Sequence, residues 1–143
     1  MSFSHDGLHD SLTHLSAPPY FYESLRREIS IATRSESVIS LIRYVLESQL
    51  IYDETLIAFA DLITHSFRLE DYKARLGERE FVVLVQANEE LSRQISHRLI
   101  ARWSLEGTPD IGIGFSIATY LSGEGALELM NRLDGCEITR ATF

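Results

Sequence analysis

The chain has 143 residues and a formal net charge of -8 at pH 7, and 45% of its residues are hydrophobic against 24% that are charged. This balance predicts one soluble globular domain over residues 1–143, and the acidic charge argues against general binding to nucleic acid or to anionic membranes, which requires a basic surface. No signal-peptide pattern and no apolar run of ~20 residues is present, and Cys136 is the single cysteine, which together predict a cytoplasmic protein.

The apolar periodicity along the chain predicts an α+β fold. Pro18-Pro19 marks a turn, after which helical and β-branched patterns alternate. The predicted elements are a helix over 20–33, a strand over 37–46, a helix over 53–66, strands over 72–76 and 81–85, a helix from 88 to about 103, a strand over 111–120, a helix over 125–132 and an edge strand over 137–143. From residue 37 this is the β-α-β-β-α-β order of the ferredoxin-like unit, with extra N- and C-terminal helices. It predicts a mainly antiparallel sheet with helices on one face and a hairpin projecting from its middle.

Local signals predict details of two helices. Asp53 is expected to cap the helix over 53–66, and Asn88 the helix that begins at residue 88. The oxygens of these short side chains can accept hydrogen bonds from the first helical N–H groups. The helix over 53–66 is expected to bury one face, made of Leu56, Ile57, Ala60 and Ile63.

The hairpin between residues 72 and 85 is predicted from alternation. Residues 72–76 alternate apolar with basic side chains, which is typical of a half-buried strand with its cations, Lys73 and Arg75, on the solvent face. The pair Gly77-Glu78 fits a two-residue turn with glycine in the first central position.

The segment from Phe67 to Val85 resembles the signature hairpin of GGDEF domains, the fold of bacterial diguanylate cyclases. Its Arg75-Leu-Gly77-Glu78-Arg79-Glu80-Phe81 agrees with the family's Arg-Tyr-Gly-Gly-Asp-Glu-Phe at four of seven positions. Asp10-Ser-Leu-Thr13-His-Leu15 is similar to the family's opening Asp-x-Leu-Thr-x-Leu, although the usual Pro-Asn-Arg after it is missing, and Phe115-Ser-Ile-Ala118 is similar to its Val-Ser-Ile-Gly strand. The resemblance implies a nucleotidyl-cyclase-like GGDEF fold over nearly the whole chain.

The resemblance also implies that the family's catalytic chemistry is lost. Diguanylate cyclases join two GTP molecules across a homodimer with two Mg²⁺ ions, held by carboxylates in the first strand and in the signature turn. Arg43 and Arg79 stand at those two positions, where cations are expected to repel Mg²⁺. Glu78 replaces the second glycine of the turn, and the segment 47–52 is too short for the family's guanine-reading residues. We therefore expect a protein that is not an enzyme and that uses neither Mg²⁺ nor another cofactor.

Arg68-x-x-Asp71 stands at the distance from the signature at which the family has its inhibitory cyclic-di-GMP site, the I-site. By this resemblance Arg68 binds a guanine N7/O6 edge or a phosphate, and Asp71 accepts from guanine N1–H and N2–H₂. A further arginine is expected from the helix after the hairpin, with Arg98 as first choice and Arg102 as second. The alternative is an exposed Arg68–Asp71 ion pair of little energetic value.

Three functions remain open from the sequence. The first is a catalytically inactive GGDEF-like receptor that binds cyclic-di-GMP and signals through another bacterial protein or a homodimer. The second is a nucleotide-independent interaction or dimerisation module, and the third is a residual nucleotide-dependent enzyme, against which Arg43 and Arg79 argue. The five histidines lie at irregular spacing without a metal-binding pattern, so no metal site is predicted.

Overall fold

The computed structural model describes residues 3–48, 50–106 and 110–140. Within these ranges the elements are α1 (Pro18–Ser35), β1 (Ser40–Glu47), α2 (Asp53–Ser66), β2 (Tyr72–Arg75), β3 (Glu80–Val85), α3 (Glu89–Glu106), β4 (Gly112–Thr119), α4 (Ala126–Asp134) and β5 (Thr139–Arg140). Every predicted helix and strand is found, although the last three residues of the predicted edge strand, 141–143, lie outside the described residues. None of the described helices is long and apolar enough to cross a lipid bilayer.

The strands form one antiparallel sheet in the order β2-β3-β1-β4-β5. Strands β1 to β4 have the arrangement of the ferredoxin-like unit, and β5 is added beyond β4. The hairpin β2–β3 lies at one edge of the sheet, so the prediction that it projects from the middle is wrong. The reason is that β1 pairs with β3 on one side and with β4 on the other, which leaves β2 outermost.

Helices cover both faces of the sheet, whereas the sequence predicts helices on one face. Tyr44, Phe81 and Phe115 point to the face covered by α2 and α3. Leu41 and Val82 point to the other face and pack against α1 and α4. The alternation of side chains along each strand therefore supplies two cores, and the second core is built with the helices outside the ferredoxin-like unit.

A buried hydrogen bond fixes α3 on the sheet. The hydroxyl groups of Tyr44 in β1 and Ser96 in α3 lie 2.9 Å apart, and both residues are buried. Burial raises the pKa of the Tyr44 phenol, so it stays neutral. Because Ser96 and Leu99 face the core, the intervening residues of α3, including Arg98, are held at the surface.

Helix α2 differs from its prediction in two details. Its N-cap is Tyr52, which makes no capping hydrogen bond, and Asp53 is instead the first helical residue, where a negative charge still favours the helix dipole. Ile57 is 40% exposed, and Phe59 is fully buried. Positions 56, 59, 60 and 63 form the i, i+3, i+4, i+7 stripe that faces the core, and position 57 lies beside it.

Strand β2 and the turn after it also differ from their predictions. Arg75 is only 2% exposed, although alternation places it on the solvent face, because the N-terminal segment covers it and Asp10 pairs with it. The Leu76 N–H donates to the Glu80 carbonyl at 2.9 Å, so the hairpin loop consists of residues 77–79 and is longer than the predicted two-residue turn.

Asn88 caps α3 as predicted, since its Oδ1 accepts a hydrogen bond from the Leu91 N–H at 2.9 Å. Asn88→Ala leaves that donor without its partner, and we expect it to lower the free energy of unfolding by about 1 kcal/mol in urea denaturation. The control is Asn131→Ala, at an exposed position of α4, with an expected change of about 0.5 kcal/mol or less. Equal losses in the two variants would contradict a capping role.

Candidate functional site

Arg68 and Asp71 lie in the short connection between α2 and β2. The Arg68 N–H donates to Asp71 Oδ2 at 2.9 Å, and the Asp71 N–H donates to the Arg68 carbonyl at 3.1 Å. The Lys73 ammonium donates to the same carbonyl. These bonds close the connection into a turn, so the backbone of both motif residues is fixed by local hydrogen bonds.

The Arg68 guanidinium points into solvent, and 75% of the side chain is exposed. Its ion-pair contact among the described residues is with Glu70, at 4.0 Å between Nη1 and Oε1. A pair at this distance and exposure contributes little stability. The Asp71 carboxylate accepts a hydrogen bond from the Arg68 backbone N–H, and the Arg68 guanidinium faces Glu70. The Arg68–Asp71 ion pair, which was the alternative from the sequence, is therefore not formed.

The Asp71 carboxylate is half-buried and only partly used by the protein. Burial raises its pKa, while the hydrogen bond from the Arg68 N–H and the charge of Lys73 act in the opposite direction. Oδ2 accepts from the Arg68 N–H, whereas Oδ1 accepts no hydrogen bond from the described residues. An oxygen of this kind is suited to accept from a ligand N–H group.

A depression of about 140 Å³ adjoins the motif. Arg68 and Asp71 line one side of it, and Leu91 and Ile95 of α3 supply apolar surface on the other. Leu91 is partly exposed, and Leu69 beside the motif is 96% exposed. The surface around the motif therefore combines a cation, a carboxylate and apolar area, which are the components that a purine nucleotide can contact.

A second depression, of about 260 Å³, continues from the first between the end of α2 and the middle of α3. We call it the α2–α3 depression; it is lined by His65, Ser66, Ile95, Arg98, Leu99 and Arg102. Ser66 and Ile95 also line the first depression, so the two are continuous. The fold thus places Arg98 and Arg102 in a depression that adjoins the one lined by Arg68 and Asp71. His65 and Ser66 were not predicted as site residues, because their place depends on how α2 packs against α3.

An ion pair joins β1 to the signature hairpin at Arg43, one of the two positions where the resemblance expects a metal-binding acid. Arg43 Nε in β1 donates to Glu80 Oε1 at the start of β3, at 2.7 Å, and both side chains are largely buried. The Leu46 N–H donates to the Arg79 carbonyl at 3.0 Å, which holds the hairpin loop against β1. Arg43 is therefore neutralised by Glu80. No group of three or more His, Cys, Asp and Glu side chains within the described ranges is arranged to hold a metal ion.

A buried ion pair joins the N-terminal segment to the hairpin. Arg75 Nη1 lies 3.1 and 3.2 Å from the two carboxylate oxygens of Asp10, and both side chains are almost completely buried. Asp10 Oδ2 also accepts from the N–H and hydroxyl of Thr13, and Arg75 Nη2 donates to the Glu78 carbonyl at 2.8 Å. In the sequence, Asp10 and Arg75 stand as motif positions, with Arg75 expected on the solvent face, and nothing in the local pattern shows that the two residues meet.

The N-terminal segment also closes the sheet edge next to the site. The Ser16 N–H donates to the Lys73 carbonyl at 3.0 Å, and the Arg75 N–H donates to the Ser16 carbonyl at 3.1 Å. Strand β2 is thereby paired on both sides at this point. Since Asp71 directly precedes β2, the Asp10–Arg75 pair and this bridge support the turn that carries the motif.

No protein-family model matches the chain. The chain is 30% identical over 107 residues to diguanylate cyclase DgcS of Shewanella oneidensis. The matched region is 68% of this chain and 36% of that protein, so the chain spans about a third of the length of this curated relative.

The three-dimensional structure of the chain matches solved structures over most of its length. The GGDEF domain of DgcB from Caulobacter crescentus, solved in complex with c-di-GMP, superposes with a TM-score of 0.82 at 18% identity, covering 94% of this chain and 88% of that one. Diguanylate cyclase SiaD from Pseudomonas aeruginosa, solved in complex with its activator SiaC, superposes with a TM-score of 0.80 at 19% identity, covering 90% of this chain and 55% of that one. The chain therefore has the fold of GGDEF domains, which confirms the predicted α+β, nucleotidyl-cyclase-like class.

Proposed function

We propose that this chain with the GGDEF fold is a catalytically inactive signalling module that binds cyclic-di-GMP through Arg68 and Asp71, with Arg98 as a further contact. The observation that carries the proposal is the arrangement at the turn. An exposed Arg68 guanidinium and a partly unused Asp71 carboxylate line one depression, and Arg98 lines its continuation. The DgcB domain, which shares the fold, was solved with this ligand.

The chemistry of the three side chains matches a guanine nucleotide. A guanidinium donates two parallel hydrogen bonds to the N7/O6 edge of guanine or to phosphate oxygens. A carboxylate accepts from the N1–H and N2–H₂ groups on the opposite edge of the base. The apolar surface of Leu91 and Ile95 lies in the same depression and offers a wall against which a base can pack.

We base the proposed absence of cyclase activity on the Arg43–Glu80 ion pair. Mg²⁺ binds carboxylate oxygens and needs them unengaged. Here Glu80 is held by Arg43 at 2.7 Å, and an arginine occupies each position at which the resemblance expects a metal-binding acid. Binding a triphosphate with Mg²⁺ at this place would require the Arg43–Glu80 ion pair to break. It would also bring the Mg²⁺ ion close to two arginine cations, which repel it.

Calorimetric titration of cyclic-di-GMP into the purified protein tests the binding proposal. We expect saturable heat with a micromolar or tighter Kd. The melting temperature should also rise, because a ligand at 100 times its Kd stabilises the folded state by about 2.7 kcal/mol. Neither heat nor a thermal shift at high ligand concentration would remove the receptor proposal.

Incubation with GTP and Mg²⁺, or with Mn²⁺, is expected to give no cyclic-di-GMP. The products are separated by chromatography, and an active diguanylate cyclase treated in the same way serves as the positive control. Product that accumulates linearly with protein concentration would contradict inactivity, and it would favour the residual enzyme. This result is independent of the binding titration, because the two experiments probe different ends of the hairpin.

A second candidate function is a nucleotide-independent interaction module. Two observations favour it: SiaD, which shares the fold, was solved in complex with its activator SiaC, and Leu69 stands 96% exposed beside the motif. The two functions differ in their dependence on Arg68. An interaction module keeps its partner contacts in Arg68→Ala, whereas a receptor loses its response to cyclic-di-GMP.

A further inference from the structure

Lys73 is the only lysine of the chain, and its side chain reaches back to the turn that carries the motif. It lies in β2 opposite Val83 of β3, and residues directly opposite each other share a face of the sheet. Val83 belongs to the core beneath α2 and α3. The Lys73 side chain therefore leaves the sheet on the α2–α3 side, where its ammonium donates to the carbonyl oxygen of Arg68, five residues earlier in the chain.

The two ends of this hydrogen bond differ in how firmly their backbones are held. The Lys73 carbonyl accepts from the Ser16 N–H at 3.0 Å, and β2 pairs with β3 on its other side. The Arg68 carbonyl lies in the short connection between α2 and β2, where its other donor within the described residues is the Asp71 N–H, at 3.1 Å. The Lys73 ammonium thus ties this connection to a strand that is paired on both sides.

The Lys73 ammonium also offsets negative charge at the turn. The charged groups around the Asp71 carboxylate come from the turn, from β2 and from α1; they are Arg68, Glu70, Lys73 and Glu28. The residues of α2 and α3 that line the depression beside Asp71 are uncharged, and the adjoining α2–α3 depression is lined by His65, Arg98 and Arg102. Burial raises the pKa of the Asp71 carboxyl, and the charge of Lys73 acts in the opposite direction.

We propose that Lys73 is a positioning residue, whose ammonium holds the turn between α2 and β2 in the conformation that presents Arg68 and Asp71 to a ligand. Lys73 does not line the depression beside the motif, so it acts through the turn and not by contact with the ligand. This inference rests on the proposed function for the identity of the ligand, cyclic-di-GMP. The hold of Lys73 on the turn is a property of the ligand-free protein and can be measured there.

The first test uses the ligand-free protein and two variants. Lys73→Met removes the ammonium and keeps an unbranched side chain, whereas Lys73→Arg keeps the charge. In Lys73→Met we expect amide exchange at Asp71 to become about fivefold faster, which corresponds to the loss of one partly exposed charge interaction. The titration of the Asp71 carboxyl, followed by carbon NMR, should move to higher pH, because a cation that favours the ionised form is gone. Lys73→Arg should stay close to the parent protein in both measurements.

The second test adds cyclic-di-GMP over a range of pH. Ionised Asp71 accepts from guanine N–H groups, so binding is present above the pKa of Asp71 and is lost as the pH falls through it. In Lys73→Met this loss is expected at higher pH than in the parent protein, and the affinity at pH 7 should fall about fivefold. The matched control is Arg93→Met, which removes a cation that pairs with Glu89 and lines neither depression, and its affinity should stay within about twofold.

The outcomes separate this inference from the proposed function. If the parent protein does not bind cyclic-di-GMP, the proposed function fails, and the ligand-free measurements alone decide whether Lys73 holds the turn. An unchanged Asp71 titration or unchanged amide exchange in Lys73→Met overturns the inference, as does a Lys73→Arg variant that departs from the parent as far as Lys73→Met. Equal losses of affinity in Lys73→Met and Arg93→Met would also overturn it, because the ligand would then respond only to net charge.

Discussion

Asp10→Asn is expected to lower the free energy of unfolding by about 3–5 kcal/mol, because it leaves a buried guanidinium without its counter-charge. Arg75 is 2% exposed and Asp10 is fully buried, so water cannot replace the lost partner. The asparagine side chain keeps the size of aspartate and one carbonyl oxygen, so the variant removes the charge and leaves most of the packing. In thermal unfolding the loss corresponds to roughly 10–17 °C for a domain of this size.

The destabilisation is expected to reach the candidate site. Arg75 lies in β2, which Asp71 directly precedes, and Ser16 pairs with β2 on its outer side. When the N-terminal segment loosens, the edge strand loses one of its two neighbours. Amide hydrogen exchange should therefore rise at Arg75, whose N–H donates to the Ser16 carbonyl, before it rises in the central strands β1 and β3.

The control for this prediction is Asp61→Asn, which makes the same chemical change at an exposed position of α2. It is expected to change stability by about 0.5 kcal/mol or less. The double variant Asp10→Leu/Arg75→Met removes both charges and should recover much of the stability that Asp10→Asn loses. A loss below about 1 kcal/mol in Asp10→Asn would show that the buried pair does not hold the N-terminal segment in place.

Arg68→Ala is expected to weaken cyclic-di-GMP binding about 5- to 150-fold without changing the melting temperature of the ligand-free protein. The affinity loss follows from the 1–3 kcal/mol that a bidentate arginine–guanine contact contributes. The unchanged stability follows from the side chain's exposure of 75% and its weak contact with Glu70. Calorimetry of the two proteins with the same ligand measures the first effect, and thermal unfolding measures the second.

Arg140→Ala is the matched control, because it removes the same charge at the opposite edge of the sheet. Arg140 lies in β5, where it pairs with Glu47 and is 62% exposed. It should leave the affinity for cyclic-di-GMP within about twofold of the parent protein, since exposed charges beyond a Debye length are screened. If both variants weaken binding equally, the ligand responds to net charge and not to the Arg68 site.

Many helices and strands were predictable because a long segment with regularly spaced apolar residues can be recognised from the sequence alone. The helices α1, α2 and α3 and the strand β1 were all located from apolar spacing, with ends within three residues. Arg75 shows where this fails. Alternation along β2 assigns it to solvent, and only the partner Asp10, 65 residues away in sequence, explains its burial. Pairing over that distance leaves no trace in a local pattern.

For the candidate site, the sequence singled out Arg68 and Asp71 from their spacing to the signature, and the structure shows that local hydrogen bonds join them in one turn. Their role in binding a ligand stays a prediction. The neutralisation of Arg43 by Glu80 and the position of His65 were not predictable. Both depend on which side chains meet when β1 pairs with β3 and when α2 packs against α3.

The most direct test of the proposed receptor function is an NMR titration of the isotope-labelled protein with cyclic-di-GMP, which reports whether and where the ligand binds. We predict saturable shifts concentrated at residues 66–71 and 91–102, with little change at Arg43 and Glu80. Absence of shifts at saturating ligand would contradict binding. Shifts confined to the Arg43–Glu80 end of the hairpin would contradict the site, because they would place the ligand where a cyclase holds its substrate.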